Sequence, residues 1–111
     1  MDFPVAILGF WLTNIQPLVR GRATFCECPF MDGPYQFDIH VDRENLFTVT
    51  LVDREADADE TLATARVDSE LLLRQLVSAS ETVIQTCQRN QWIDHDLSNL
   101  EALVLETKRY L

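Results

Sequence analysis

The stretch that decides the fold is Tyr35-Gln36-Phe37-Asp38-Ile39-His40-Val41-Asp42. Apolar and polar residues alternate strictly along it, which predicts a half-buried β-strand. The run from Leu46 to Val52 is rich in β-branched and aromatic residues, and the turn-like Arg43-Glu44-Asn45 lies between the two runs. The two runs therefore predict a β-hairpin. Its core face would carry Phe37, Ile39, Phe47, Val49 and Leu51, and its outer face Asp38, His40, Thr48 and Thr50.

Further strands are predicted on both sides of this hairpin. The run from Gly21 to Phe30 is a predicted strand, separated from the hairpin by the turn signal Met31-Asp32-Gly33-Pro34. Thr61 to Val67 is the candidate for a further strand. The segment from Val5 to Thr13 is apolar at both alternating sets of positions, and we interpret it as a strand covered on two faces, with the start of a buried helix as the alternative.

After residue 68 the apolar period changes from two to three and four residues. From Asp68 or Ser69 this spacing predicts a helix that ends near Gln91. Ser98-Asn99-Leu100-Glu101 matches a capping box, so a second helix is predicted with Ser98 as N-cap and Glu101 at N3, ending near Tyr110. The expectation is one α+β domain over residues 1–111, an antiparallel β-meander of four to five strands followed by two helices packed on one face.

Composition and charge restrict the class of protein. The 111 residues include 9 Lys+Arg and 18 Asp+Glu, a formal charge of −9, and 47% are hydrophobic. Such a chain folds as a globular domain. Its scattered basic residues argue against binding to nucleic acid or to an anionic membrane. Three cysteines without a secretory signal predict a reduced, cytoplasmic protein.

Three local patterns are candidates for sites of chemistry. Cys26-Glu27-Cys28 places two thiols on one strand face, but a structural zinc site needs four ligands and usually a wider Cys spacing. His40 between Asp38 and Asp42 has the elements of an oriented base without a cleft or an oxyanion site. The acidic run that starts at Asp53 lacks the Gly and Glu of a calcium-binding EF-hand loop. We therefore expect no catalytic residue, no metal and no cofactor.

Acidic residues are concentrated around the segment from Asp53 to Glu60. Complementary charge across an interface accelerates encounter and selects partners. We therefore interpret the chain as a non-enzymatic binding module for a basic partner protein. Its general plan is similar, by analogy alone, to that of bacterial immunity proteins and nuclease inhibitors. The predicted partner-binding residues are Asp38, Asp42, Asp53, Glu55, Asp57, Asp59 and Glu60.

The alternative interpretation is a small homo-oligomer with a ligand pocket between sheet and helices. A first strand that is apolar on both faces would need cover that two helices cannot supply, and dimerisation is the commonest solution. A homodimer is therefore expected. Its predicted interface residues are Phe3, Val5, Ile7, Phe10 and Trp11.

Overall fold

The computed structural model describes residues 3–30, 33–55 and 58–111. The elements follow in the order α1 (Phe3–Val19), β1 (Phe25–Pro29), β2 (Tyr35–Arg43), β3 (Leu46–Asp53), β4 (Glu60–Asp68), α2 (Ser69–Arg89) and α3 (His95–Lys108). The strands form one antiparallel sheet in the order β1-β2-β3-β4. The predicted α+β class and the meander are confirmed, and the segment before the sheet forms a helix, which was the alternative to the expected strand.

The two faces of the central hairpin are as predicted. Ile39 lies opposite Val49 and His40 opposite Thr48, so core and outer residues fall on the two faces as expected. Asn45 closes the turn with a positive φ of 68°. Asn enters this left-handed region more readily than most residues, which suits it to the turn.

One face of the sheet packs against the helices. Ile39 of β2 and Phe47 of β3 are buried in the same apolar cluster as the helix side chains. Burying an aliphatic or aromatic side chain of this size contributes about 1.5–3 kcal/mol. This cluster therefore holds the helical layer on the sheet; its helix members are Val5, Leu8, Leu12, Ile15, Leu18, Leu73, Val77, Ile84, Cys87, Leu97, Leu100 and Val104.

The segment predicted as a first strand is part of helix α1, so that prediction was wrong. The buried residues of this segment recur every three or four positions, as in a helix. They continue beyond Thr13, where the strand was expected to end. Gly21, with φ of 71°, follows the helix, and the N–H of Arg22 turns back to donate to the carbonyl of Pro17 at 2.8 Å. The buried positions of α1 are Val5, Leu8, Leu12, Ile15 and Leu18.

The two C-terminal helices form as predicted, with one correction at a cap. α2 begins after Asp68, whose side chain accepts from the N–H of Leu71. α3 begins four residues earlier than the capping-box pattern indicated, because Asp94 is the N-cap and accepts from the N–H of Leu97 at 3.0 Å. Ser98 is therefore a residue of the first helical turn, and its hydroxyl donates to the Asp94 carbonyl at 3.4 Å.

Helix α1 covers the outer edge of β1. The N–H of Phe30 donates to the Tyr35 carbonyl, and in an antiparallel pair every second residue bonds to the neighbouring strand. Cys28 and Cys26 are therefore the residues of β1 that bond to β2. The carbonyls of Glu27 and Pro29 therefore point away from β2. They accept hydrogen bonds from two side chains of α1, Asn14 Nδ2 at 2.7 Å and Trp11 Nε1 at 2.8 Å.

Candidate protein-binding surface

The sheet has a concentration of carboxylates at the end where β3 turns into β4. Register places Glu27 opposite Asp38 and Asp53 opposite Glu60 on neighbouring strands. Like charges in directly opposed positions repel one another. A basic group would relieve this repulsion. We call this group the acidic end: Glu27, Asp38, Asp53, Glu55, Asp59 and Glu60.

Arg54 links the acidic end into a network. Its guanidinium donates to Glu27 at 2.6 Å and to Asp59 at 3.1 Å, and it lies 3.8 Å from Asp38. The amide of Gln36 donates to Glu27 at 2.6 Å and also to Asp38. One guanidinium partners three carboxylates, so the acidic end keeps a negative excess. Exposed ion pairs of this kind contribute only about 0–1 kcal/mol each to stability.

The structure brings together most of the predicted partner-binding residues. Asp38, Asp53, Glu55, Asp59 and Glu60 lie in the acidic end. Asp42 does not, because it lies four residues further along β2, about 13 Å from Asp38 at the rise of a strand. There it pairs with Arg66 at 3.3 Å. Asp57 lies outside the described residues.

Glu27 belongs to the acidic end, although sequence reasoning did not assign it there. It was interpreted only as the spacer between two cysteines. Alternation along β1 places Glu27 on the face opposite to Cys26 and Cys28, which was available from the sequence. Its pairing with Asp38 depends on the β1–β2 register, for which the sequence carried no comparable signal.

An apolar hollow of about 570 Å³ lies beside the acidic end, on the helix side of the sheet. Tyr35 is 45% exposed and Leu62 is 46% exposed. Trp11 of α1 packs edge-on against Phe30, a lining residue of the hollow, with ring centroids 5.5 Å apart. Exposed apolar side chains thus lie next to Asp53 and Glu60, whereas Glu27 and Asp38 belong to the outer face of the sheet. The hollow is lined by Phe30, Tyr35, Phe37, Leu51 and Leu62.

The residues predicted as a dimer interface lie on helix α1. Val5 is buried in the core of the protomer, Ile7 and Trp11 are half-buried, and Phe10 is 50% exposed. The Phe3 side chain lies outside the described part of the chain. The reason given for dimerisation, a strand apolar on two faces, no longer applies, because α1 buries its apolar stripe within the protomer. The dimer itself stays a prediction.

A second hollow, of about 500 Å³, lies at the other end of the sheet. It is bounded by the end of α1, the β2–β3 turn, the start of α2 and the C-terminal residues. Val41, Phe47 and Leu73 contribute apolar walls, and Glu44 and Glu70 contribute carboxylates. This hollow occupies the place where the alternative interpretation expected a ligand.

The three cysteines are buried free thiols. Cys26 and Cys28 share the helix side of β1, as alternation predicted, and Cys87 lies on α2. The side-chain hydrogen bond between Cys28 and Cys26 lowers the pKa of Cys26 and raises that of Cys28. Burial and the charge of Asp38 act on both thiols in the direction that raises the pKa.

His40 and the candidate metal ligands are the remaining positions that the sequence raised. His40 is exposed on the outer face of the sheet, with its ring against Phe25 at 4.6 Å between centroids. Within residues 3–30, 33–55 and 58–111, no group of three or more His, Cys, Asp or Glu side chains is placed to hold a metal ion. In the same ranges no helix combines the length and apolar character needed to cross a membrane.

Comparison of the chain with protein-family models, with curated proteins and with solved structures found no match.

Proposed function

We propose that this protein is a non-enzymatic binding module of the inhibitor or immunity type, which uses the acidic end and the apolar hollow to bind a basic partner protein. The observation that carries the proposal is the adjacency of these two features. Tyr35, a lining residue of the hollow, lies opposite Asp53, and Asp53 lies opposite Glu60 in one row across the sheet.

Each feature has a distinct physical role in the proposal. Exposed apolar patches rimmed by polar residues are typical of protein–protein contact sites, and aromatic side chains often supply the strongest contacts. Tyr35, Phe37 and Leu62 would supply that contact area. The carboxylates would accelerate encounter with a positively charged surface and disfavour acidic competitors.

The proposal is tested by charge reversal at exposed positions. We expect the immobilised wild-type protein to retain a basic protein from a cell extract at about 50 mM salt and to release it at about 500 mM, where charges are screened within a few Å. The variant Asp59→Lys/Glu60→Lys should not retain that protein. The matched control Glu44→Lys/Asp96→Lys makes the same change in net charge at exposed positions outside the acidic end and should retain it.

Two results would contradict the proposal. One is equal retention of the basic protein by both double variants. The other is retention that persists unchanged at high salt.

The alternative is a small homo-oligomer that holds a ligand in the hollow between sheet and helices. The observation that favours it is the space of about 500 Å³ beside Leu18, Phe47 and Leu73. Light scattering distinguishes it from the leading proposal, because a dimer that persists at high salt and retains no basic protein is expected only for the alternative.

A further inference from the structure

The edge of β4 that faces away from β3 carries backbone N–H and C=O groups. The hydrogen-bond pattern between β3 and β4 defines which residues supply them. Ser69 N–H donates to the Asn45 carbonyl at 3.0 Å at the end of the β3–β4 ladder. Every second pair in an antiparallel ladder exchanges hydrogen bonds. The bonded pairs are therefore Phe47–Val67, Val49–Ala65 and Leu51–Ala63. The N–H and C=O groups of Thr64 and Arg66, which lie between these pairs, point away from β3.

The side of β4 that faces away from β3 is open among the described residues. β4 is the last strand of the sheet, and no described strand pairs with its other side. All but one of its residues, Val67, are exposed. The stretch from Thr61 to Ala65 has no charged residue and no proline, the devices that commonly protect an edge strand from pairing.

We propose that β4 accepts an extended segment of the basic partner as a further strand of the sheet. This inference rests on the proposed function, from which it takes the basic charge of the partner. Main-chain hydrogen bonds supply affinity in this mode of binding, and alternate side chains supply specificity. Thr64 and Arg66 would make the main-chain bonds.

The side chains on and around β4 indicate which types of residue such a segment would carry. Ala63 and Ala65 leave space on the helix side of the strand, next to Leu51 and the apolar hollow. Alternate residues of the added strand would therefore be apolar. Its two ends would be basic, because Asp59 and Glu60 lie at one end of β4 and Asp68 at the other.

A second copy of this chain fits the open edge less well. Each copy carries a formal charge of −9, so two copies repel one another. In a two-fold antiparallel pairing centred on Thr64, Glu60 of one copy would oppose Asp68 of the other. Like charges directly opposed across strands are destabilising.

The test uses a synthetic peptide, Lys-Val-Thr-Val-Thr-Val-Thr-Val-Lys, acetylated and amidated, in two N-methylated forms. One form is methylated at every Val nitrogen and the other at every Thr nitrogen. Both keep all side chains and both charges. The first loses every N–H along one edge, and the second loses the three threonine N–H groups of the other edge. Strand addition uses a single edge of the peptide, so we expect one form to bind at least about tenfold more tightly than the other.

A pair of variants tests the protein side. Thr64→Pro removes an N–H that faces the open edge, whereas Thr64→Val keeps it and has nearly the same shape. We expect Thr64→Pro to weaken the better peptide about tenfold and Thr64→Val to change its affinity by less than about twofold. Unfolding midpoints of both variants close to that of the wild type show that the fold is retained.

The outcomes separate this inference from the proposed function. If both N-methylated forms bind equally and both lose affinity with Asp59→Lys/Glu60→Lys, the acidic surface binds basic segments without strand addition, and only this inference fails. If neither form binds while the basic protein is still retained by wild type, this inference fails again. A wild-type dimer that Thr64→Pro converts to monomer would show that a second copy occupies the edge.

Discussion

The two edges of the sheet are protected to very different extents. At β1, Pro29 has no N–H to offer, and the outward carbonyls of Glu27 and Pro29 are bonded to Asn14 and Trp11 of helix α1. At β4, the outward groups of Thr64 have no described protein partner. Free edges are a template for further pairing, and proteins usually protect them. A chain that covers one edge with a helix and leaves the other open retains a place for a further strand.

The largest expected effect is at the covered edge. Trp11→Ala removes the indole that bonds to Pro29 and packs against Phe30 and Phe37. Truncation of a packed tryptophan costs about 3–5 kcal/mol, and we expect the lower part of that range because Trp11 is half-buried. Urea unfolding measures the change.

Trp11→Phe is the matched control for that variant. It keeps a six-membered ring for packing but loses the pyrrole ring with its N–H, so it should cost about 1–2 kcal/mol, less than Trp11→Ala. Equal midpoints for Trp11→Ala and the wild type would show that α1 does not stabilise the edge of β1.

The next largest effect is expected when proline replaces either of two neighbouring residues of β4. Ala65→Pro removes a ladder hydrogen bond to Val49, whereas the N–H lost in Thr64→Pro faces the open edge. Proline is tolerated on an edge strand where its nitrogen faces solvent. We expect Ala65→Pro to be less stable than Thr64→Pro by at least about 1 kcal/mol. The reverse order would contradict the assigned ladder.

A smaller loss is expected at Asn14. Its side chain is exposed apart from the bond to the Glu27 carbonyl, so Asn14→Ala should cost about 0.5–1.5 kcal/mol. Thr13→Ala, at an exposed neighbouring position on the same helix, is the control and should stay within about 0.5 kcal/mol of wild type. A loss as large in the control would assign the effect to helix α1 in general.

The smallest effect is expected at Arg54. Arg54→Gln removes the one guanidinium that bonds to Glu27 and Asp59, at a cost of about 0–1 kcal/mol because the pairs are exposed. The acidic end becomes more negative, so the better-binding Lys-Val-Thr peptide should associate faster at low salt. An association rate that falls instead would show that Arg54 contacts the peptide itself.

The hairpin could be predicted because alternation of apolar and polar residues fixes the strands and their faces. A one-residue slip would move the apolar residues of one strand to the outer face, so the pattern excludes odd shifts, and the short turn at Asn45 selects the observed pairing among the rest. Helix α1 could not be recognised from the same criterion. Its first residues are apolar all round, and its helical period becomes clear only when Ile15 and Leu18 are included.

The cap of α3 shows a second reason for error. Asp94 and Ser98 both have side chains suited to an N-cap, and the capping-box pattern favoured Ser98. Burial decides in favour of Asp94, because Leu97 is fully buried and belongs to the same stripe as Leu100. That stripe was present in the sequence.

The acidic end was predicted in part. Local sequence concentration identified Asp53, Asp59 and Glu60, whereas Glu27 and Arg54 depend on contacts across strands. The edge position of β4 follows from the predicted meander, in which Thr61 to Val67 is the last strand. The apolar hollow had no sequence signal, because its lining residues come together only in the folded sheet.

Residue-resolved amide hydrogen exchange tests most directly the claim that β4 is an open edge that accepts a strand. In the free protein, the amides of Ala63, Ala65 and Val67 should exchange slowly, because they bond to β3, and those of Thr64 and Arg66 should exchange fast. Addition of the better-binding Lys-Val-Thr peptide should slow Thr64 and Arg66 at least about tenfold. Protection of Thr64 and Arg66 in the free protein, or no change in their exchange when the peptide is bound, would contradict the account.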